Sequence, residues 1–479
     1  MAQSMKSLKE DFVSNLTGGT ITEINLVTAV APATYILYSA LQTRLNFFRP
    51  YGPLQFVTDF FLNAVAILLS ITLYSSLPLL FNLLILLPAL FLIITSAAAH
   101  QKPKRLAKPK NDTAPPPSEP LLPKKAFLTV YRGSMMVITC IAIIAVDFRV
   151  FPRRFAKVEN WGTSLMDLGV GSFVFSSGLV SARQVLKDHF AKKAPSTLAV
   201  RMKGAMRSSA PLIVLGFVRL AMVKGVDYAE HVTEYGVHWN FFFTLGFLPP
   251  LLALLQSIPT GGLDLTWLYT LLALGVGVTY QTVLESTGLQ KYVLIGDRNA
   301  YGLLGQNKEG ISSFSGYLAI FLAGMATGMY LLPSTTSKNK LFKTLCSWSV
   351  AWVFLFCAVN QYWGLGVGIS RRLANLPYFL WIVAFNTCQL AAFYSVERFF
   401  YDGCQGDSYE MAVPKILEAF NANGLAVFLV ANLLTGAVNV SINTLTVGRG
   451  TAVAILLGYA GVLTVLAVGL DRSGIRIKL

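Results

Sequence analysis

The chain has 479 residues, of which 54% are apolar and 13% are charged, and its formal net charge is +16. The mean hydropathy of +0.57 excludes a soluble globular chain and a disordered one. In a soluble protein this charge would suggest nucleic-acid binding, but here Lys and Arg lie mainly in short segments beside apolar runs. That arrangement is typical of an all-α, polytopic integral membrane protein.

A window of about 20 residues, which is the length that a helix needs to cross a bilayer, predicts about thirteen crossings in a single membrane domain, 1–479. Segment 209–223 is shorter than the others and contains Arg219. Segment 100–125 is charged and rich in proline, so we expect a flexible cytosolic loop there. The predicted crossings are 24–43, 54–73, 77–99, 127–147, 163–183, 209–223, 238–256, 265–285, 313–333, 343–363, 376–397, 417–438 and 450–470.

An odd number of crossings places the two termini on opposite sides of the membrane. The two alternating sets of loops contain 24 and 13 Lys and Arg residues. Because positively charged loops stay in the cytosol, we expect a cytosolic C-terminus and a lumenal N-terminus. The first residues lack the apolar stretch and cleavage site of a removable signal peptide, so the first crossing is expected to act as a signal anchor.

Segment 146–172 places four basic side chains and three carboxylates between the fourth and fifth predicted crossings. Ionisable groups beside the hydrocarbon core are costly, so their clustering here favours a functional site. The segment also contains more cations than any other loop predicted to be lumenal. Arg153 and Arg154 are candidates to hold an anionic ligand such as a lipid phosphate. Alternatively, they extend to nearby lipid headgroups.

Asp147 ends an apolar run and is expected near the membrane boundary. Lys157 can reach it if the intervening loop folds back. Such a pair would shift the pKa values of both groups, and a carboxylate partly withdrawn from water can act as a general base. The alternative is an inert structural ion pair.

Segment 224–240 lies on the same predicted side and contains His231, Glu234, His238 and Asn240. On a helix His231 and Glu234 would share a face. Without an HExxH pattern or further ligands, we predict no metal site there. His238 and Asn240 open the seventh crossing and are candidates for substrate contacts.

Five cysteines without paired spacing predict neither a disulfide framework nor a zinc site. Three sequons for glycosylation are present. Those at Asn15 and Asn439 are predicted to face the lumen, and that at Asn111 the cytosol.

A family resemblance rests on the N-terminal NLTGGTITEIN and on three long runs, DFRVFPRRFAKVENWGTSLMDLGVGSFVFSSG, VRLAMVKGVDYAEHVTEYGVHWNFFFTL and NKEGISSFSGYLAIFLAG. These segments resemble the GPI-anchored wall transfer protein family, the inositol acyltransferases of GPI-anchor synthesis, and imply a eukaryotic, fungal source. The resemblance implies an endoplasmic reticulum enzyme that transfers a fatty acyl chain, typically palmitoyl from acyl-CoA, to the inositol ring of glucosaminyl-phosphatidylinositol. The expected partners are these two substrates and the bilayer, with no bound cofactor, no nucleic acid and no obligate protein partner.

With these substrates, Asp147 is expected to deprotonate an inositol hydroxyl that attacks the thioester directly. Lys157 would orient Asp147 or stabilise the oxyanion. Arg153 and Arg154 would hold the lipid phosphate, and Asp167 would hold sugar hydroxyls or the lysine.

Two further expectations concern the base and the donor. His231 or His238 is the alternative base, and the polar part of acyl-CoA is expected on the basic cytosolic loop 183–208.

The main alternative function is a secondary transporter or flippase, in which charges within crossings, such as Arg132 and Arg219, are also expected. However, the sequence has neither the inverted repeat nor the paired broken helices of many transporters. A noncatalytic scaffold subunit is the remaining alternative.

Overall fold

The computed structural model describes residues 11–12, 14–96, 121–191, 197–225, 232–258, 262–361, 364–402 and 408–477. Within these ranges twelve helices are long and apolar enough to cross a membrane, and a shorter apolar helix completes a set of thirteen. The all-α polytopic architecture is therefore confirmed. The set comprises α1 (Ile21–Leu45), α2 (Pro53–Ile71), α3 (Pro78–Thr95), α4 (Ala126–Ala145), α5 (Leu165–Phe190), α6 (Leu198–Gly225), α7 (Phe241–Leu255), α8 (Leu265–Ser286), α9 (Lys308–Leu331), α10 (Lys338–Val359), α11 (Leu376–Tyr401), α12 (Gly424–Ser441) and α13 (Arg449–Arg472).

Shorter helices lie between the crossings. They are Arg153–Phe155, which is a 3-10 turn, and Val232–Tyr235, Leu289–Ile295, Gly302–Gln306, Ser408–Ala412 and Lys415–Ala422. The predicted flexible loop 100–125 lies outside the described residues except for its last five positions.

The predicted boundaries differ from the observed ones where a helix begins with polar residues. Helix α6 starts about three turns before the predicted segment 209–223. The prediction began too late because the basic first half of the helix lowers the local hydropathy. The predicted crossing 417–438 is interrupted at Asn423, which separates α12 from the helix before it. The Asn423 side chain bonds Ile475 O and the Ile477 N–H instead. It therefore attaches the C-terminal residues to the bundle.

Helices α5 and α9 pack closely through small residues. A Cβ on Gly178 would overlap the carbonyl oxygen of Phe321, and one on Gly324 would overlap that of Phe175. Glycine is needed here because the two backbones touch, as is common where membrane helices cross. This contact holds α5 against α9, and the first turn of α5 carries Asp167 of the charged cluster.

Contacts between loops divide the helix ends into two groups. The Gly19 N–H donates to Thr163 O at 2.8 Å, and Asn423 Nδ2 donates to Ile475 O at 3.0 Å. We call the end that contains Gly19 the N side and the end that contains Ile475 the C side. The two groups are the two sets of loops that alternation predicts. The N side gathers segments 14–20, 146–164, 232–240, 296–307 and 360–375.

The N-terminal segment pairs with the loop between α4 and α5. Gly18 has a φ of +82°, and a Cβ on it would overlap Thr163 O. Gly18→Ala is therefore expected to cost about 1–3 kcal/mol, because it combines backbone strain with this overlap. The check is thermal unfolding of the purified protein in detergent. Gly458→Ala is the control, since no atom within 4 Å would meet its Cβ. Equal melting temperatures for the two variants would contradict the pairing.

Candidate active site on the N side

Asp147 lies two residues beyond the end of α4 and is half-buried. Its Oδ2 accepts a hydrogen bond of 2.7 Å from Asn439 Nδ2, in the last turns of α12. The carboxylate thus lies at the end of a crossing, as the sequence predicts, and the amide fixes its orientation. Because the Asn439 amide is engaged in this bond, its side chain is poorly placed to accept a glycan.

The ion pair that the structure gives Lys157 is with Glu234 Oε1. The sequence left open whether Lys157 reaches Asp147, and the structure pairs it with Glu234. The physical reason is the contact of the next residue: the Val158 N–H donates to Asp167 Oδ2 at 3.1 Å, which turns this stretch of the loop toward α5. Lys157 is 36% exposed and Glu234 15%, so the ammonium remains at the surface of the cluster.

Asp167 forms the buried centre of the cluster. Its carboxylate accepts from Arg371 Nε at 2.6 Å and from Ser164 Oγ at 2.8 Å. Ser164 also caps α5 by accepting from the Asp167 N–H. Since Asp167 is fully buried, its role here is to neutralise Arg371. Its contact with sugar hydroxyls stays a prediction, and Lys157, the other expected contact, pairs with Glu234 instead.

Glu234 is held ionised by the cations around it. Burial raises its pKa, but Lys157 and Arg371 outweigh burial and lower the pKa to about 2. Arg371 Nη1 lies 3.7 Å from the same oxygen that binds Lys157. Two cations and two carboxylates therefore form one network whose formal charges cancel, with Lys157 at its exposed edge.

The two arginines proposed to hold phosphate have structural contacts. Arg153 Nη2 donates to three carbonyl oxygens of residues 146–151, and the guanidinium lies 3.9 Å from the centre of the Phe12 ring. Burial lowers the pKa of Arg153 to about 10. Arg154 Nε bonds Glu23 Oε1 at 2.7 Å and stays 37% exposed. Arg154 is therefore the more accessible of the two cations.

A second network lies beside the first. Arg372 and Arg298 both bond Glu309 Oε1, at 2.8 and 2.5 Å, and Glu309 is fully buried at the start of α9. Arg372 Nη1 also donates to Asn160 Oδ1 at 2.7 Å. This network ties the loop between α4 and α5 to the segment before α11.

Sequence reasoning counted Arg371 and Arg372 only as loop charges. A signal was present, because two adjacent arginines in a loop predicted to be lumenal oppose the usual charge bias. The same argument singled out segment 146–172. However, their partners Asp167 and Glu309 are 204 and 63 residues away in the chain, and no spacing rule pairs them.

Asn240 caps α7, and its contact with the substrate stays a prediction. It is 6% exposed, its Oδ1 accepts from the Phe242 N–H at 3.0 Å, and its Nδ2 donates to Gly216 O. His238 is half-buried, and its Nδ1 lies 3.4 Å from Asn307 Nδ2. His231 lies outside the described residues.

The C side contains a basic cavity of about 310 Å³ between α4, α5 and the last residues of the chain. Arg132 enters it from α4, and the partner that the structure gives this side chain is Ser176 Oγ at 3.2 Å. Within the described residues Arg132 has no ion pair. Burial lowers the pKa of Lys125 to about 8. The charged lining residues are Lys124, Lys125, Arg132, Arg183, Arg476 and Glu418.

These observations define a polytopic membrane protein with an ion-paired site at one end and a basic cavity at the other. The GWT1 family model matches residues 5–470. GPI-anchored wall transfer protein 1 of Gibberella zeae is 51% identical over 503 residues, covering 99% of each chain. That of Emericella nidulans is 52% identical over 490 residues and covers both chains fully. That of Saccharomyces cerevisiae is 41% identical over 505 residues, covering 99% of this chain and all of its own.

The chain belongs to the GPI-anchored wall transfer protein family. It is a GPI-anchor-related membrane protein, as the sequence resemblance predicts.

Proposed function

We propose that the protein is an O-acyltransferase of the endoplasmic reticulum membrane that transfers a fatty acyl group, palmitoyl in the typical case, from acyl-CoA to the inositol ring of glucosaminyl-phosphatidylinositol. One observation carries the proposal: a half-buried carboxylate, Asp147, is oriented by Asn439 at the end of a crossing, where a lipid presents its headgroup. The similarity of the whole chain to GPI-anchored wall transfer proteins supports this choice of substrate.

In the reaction, Asp147 accepts the proton of an inositol hydroxyl as the hydroxyl oxygen attacks the thioester carbonyl. The new C–O bond forms and the C–S bond breaks. The proton then passes to the leaving CoA thiolate, so the products are an inositol ester and free CoA. Lys157, which Glu234 holds at the surface of the cluster, stabilises the oxyanion of the intermediate.

The acceptor is a phosphoinositide, so its phosphate needs a cation near the membrane boundary. Arg154 meets this need best, since it is 37% exposed and its ion pair with Glu23 leaves part of the guanidinium available. Arg153, whose Nη2 is bonded to carbonyl oxygens of residues 146–151, contributes its positive charge without direct contact. Guanidinium donors match phosphate oxygens in geometry as well as in charge.

The donor requires a second binding region, because CoA carries several phosphates. The basic cavity on the C side has suitable chemistry, since five cations and one carboxylate line it. Arg132 and Asp147 are fifteen residues apart along α4 and the turn after it, or about 22 Å at the rise of a helix. A donor with its phosphates in the cavity and its thioester at Asp147 would span the bundle. In this orientation the N side faces the lumen.

The test is a reaction with purified protein in detergent, labelled palmitoyl-CoA and glucosaminyl-phosphatidylinositol. An acylated lipid that forms only when protein, donor and acceptor are all present supports the proposal. If the protein forms no ester but moves lipid across vesicle membranes, it is a transporter. If it does neither alone but stimulates a partner, it is a scaffold.

Arg132→Gln is expected to raise the KM for acyl-CoA about tenfold or more, because a charged contact to phosphate is worth about 1.5–3 kcal/mol. The KM for the lipid acceptor should stay unchanged. Initial rates across a range of acyl-CoA concentrations measure both. Arg207→Gln, an exposed site on α6 outside the cavity, is the control. A larger effect at Arg207 than at Arg132 would place the CoA on the 183–208 loop instead.

A further inference from the structure

Arg371 is a buried cation that joins three parts of the chain. It lies in the segment before α11, and its side chain is only 4% exposed. Its Nε is 2.6 Å from Asp167 Oδ1 at the start of α5, and its Nη1 is 3.7 Å from Glu234 Oε1 before α7. One guanidinium therefore contacts two carboxylates that come from separate elements.

The backbone holds Arg371 in place independently of its charge. The Gly162 N–H donates to Ile369 O at 2.9 Å, Ser370 Oγ donates to Asn160 O at 2.5 Å, and the Tyr280 hydroxyl donates to Leu373 O at 2.7 Å. These bonds flank Arg371 on both sides. They hold the course of the segment, whereas loss of the guanidinium also leaves Asp167 without its counter-charge, so turnover has to be measured per folded molecule.

Glu234 shares one oxygen between two cations. Its Oε1 accepts from Lys157 and also faces Arg371. Because two cations on one oxygen repel each other, the fixed guanidinium limits the positions that the ammonium can take. Arg371 is buried and Lys157 is 36% exposed, so the restriction acts on the lysine.

We propose that Arg371 is a positioning residue for acyl transfer: by holding Glu234 against α5, it fixes Lys157 where the oxyanion forms. This inference rests on the proposed role of Lys157. Arginine suits the task because its rigid fork directs Nε and Nη1 at two different carboxylates. A lysine at this position would keep the charge but lose one of the two contacts.

The proposal predicts a change in pH dependence. Burial raises the pKa of Glu234, and Lys157 and Arg371 oppose it. Without Arg371 the burial is less opposed, so the pKa rises and Glu234 becomes protonated closer to neutral pH. A protonated Glu234 no longer holds Lys157 as an ion pair. Among the described residues, the charged and titratable groups that act on or face Glu234 are Lys157, Arg371, Arg219, Tyr235 and Tyr317.

The experiment compares the full-length wild type with Arg371→Gln and Arg371→Lys, using kcat per folded molecule as a function of pH. We expect Arg371→Gln to lower kcat at least tenfold and to move the acid limb of the profile toward neutral pH, because the pKa of Glu234 rises. Arg371→Lys should also lower kcat, but with the acid limb close to that of the wild type. The KM values for both substrates should change little.

Arg372→Gln is the matched control, because Arg372 is equally buried and also bonds a buried carboxylate, Glu309. It has no contact with Glu234, so its pH profile should keep the wild-type shape. A profile of unchanged shape for Arg371→Gln would overturn the proposal, and so would an equal shift for Arg372→Gln. If Arg371→Gln does not fold, wild-type turnover by folded Arg371→Lys would also overturn it.

A double variant separates this inference from the proposed function. If Arg371 acts through Glu234, then Arg371→Gln combined with Glu234→Gln should have the kcat of Glu234→Gln alone. Additive losses would show that Arg371 acts by another route while Lys157 keeps its role. Full activity of Lys157→Met would instead remove the role of Lys157, on which this inference rests, while acyl transfer itself would stand. Absence of acyl transfer by the wild type would overturn the proposed function.

Discussion

Replacing Asp147 with asparagine is expected to lower kcat for acyl transfer by about 10²–10⁴-fold, because the variant has no group that can accept the inositol proton. Asparagine has nearly the same shape, and its Oδ1 can still accept from Asn439, whose amide bonds Asp147 at 2.7 Å in the wild type. The folded yield should therefore stay close to that of the wild type. The measurement is the initial rate of ester formation by purified protein.

Glu159→Gln is the control for this experiment. Glu159 lies in the same loop, and the contact that ties it to the N-terminal segment is through its backbone N–H, which donates to Leu16 O. The substitution removes an equal charge from the same surface but should retain most activity. Normal turnover by Asp147→Asn would show that Asp147 is not the base and would bring His238 forward, whose ring lies beside Asn307.

Asp167→Asn is expected to destabilise the fold by about 3–5 kcal/mol, because it leaves the buried Arg371 without its closest counter-charge. The carboxylate is 1% exposed and also accepts from Ser164 and from the Val158 N–H. An amide can replace some of these bonds but not the charge. The measurement is the loss of folded protein on heating in detergent, followed by size-exclusion chromatography.

Asp402→Asn serves as the comparison for Asp167→Asn. Asp402 bonds Lys338 Nζ at 2.8 Å, but both side chains are at least 40% exposed, and exposed ion pairs contribute little. Its melting temperature should lie within a few degrees of the wild type. Equal melting temperatures for Asp167→Asn and the wild type would contradict the view that Asp167 and Arg371 form a structural pair.

Most of the fold could be predicted from the sequence, because the bilayer requires long apolar helices and hydropathy finds them. The prediction was least accurate at 209–223, where basic residues precede the apolar half of α6, and at Asn423, which separates two helices within one predicted crossing. A hydropathy window misses the basic half of α6 because of its charge, and it cannot represent the contacts of Asn423 with the C-terminal residues.

The site was predicted less completely, because its contacts connect loops that are far apart in the chain. Clustered charge identified segment 146–172, and the position of Asp147 followed from the apolar run before it. The partners of Lys157 and Asp167 could not be predicted, since Glu234 and Arg371 are 77 and 204 residues away. The capping role of Asn240 was missed because a polar residue that opens a crossing suits a ligand as well as a helix cap.

The N side and the C side have different proposed roles, acyl transfer and binding of the CoA phosphates respectively. The cations and carboxylates around Glu234 on the N side balance each other, whereas Arg132 in the C-side cavity has no ion pair within the described residues. A balanced network suits chemistry on a neutral hydroxyl, and an excess of cations suits phosphate. The proposed donor would connect the two ends along α4.

The most direct test of the central claim is mass spectrometry of the lipid product from purified protein in nanodiscs, with palmitoyl-CoA and glucosaminyl-phosphatidylinositol, alongside a count of the CoA released. We predict one palmitoyl ester on the inositol ring for each CoA, and neither product above background with Asp147→Asn. Wild-type protein that releases no CoA, or an acyl group attached elsewhere than on the inositol, would contradict the account.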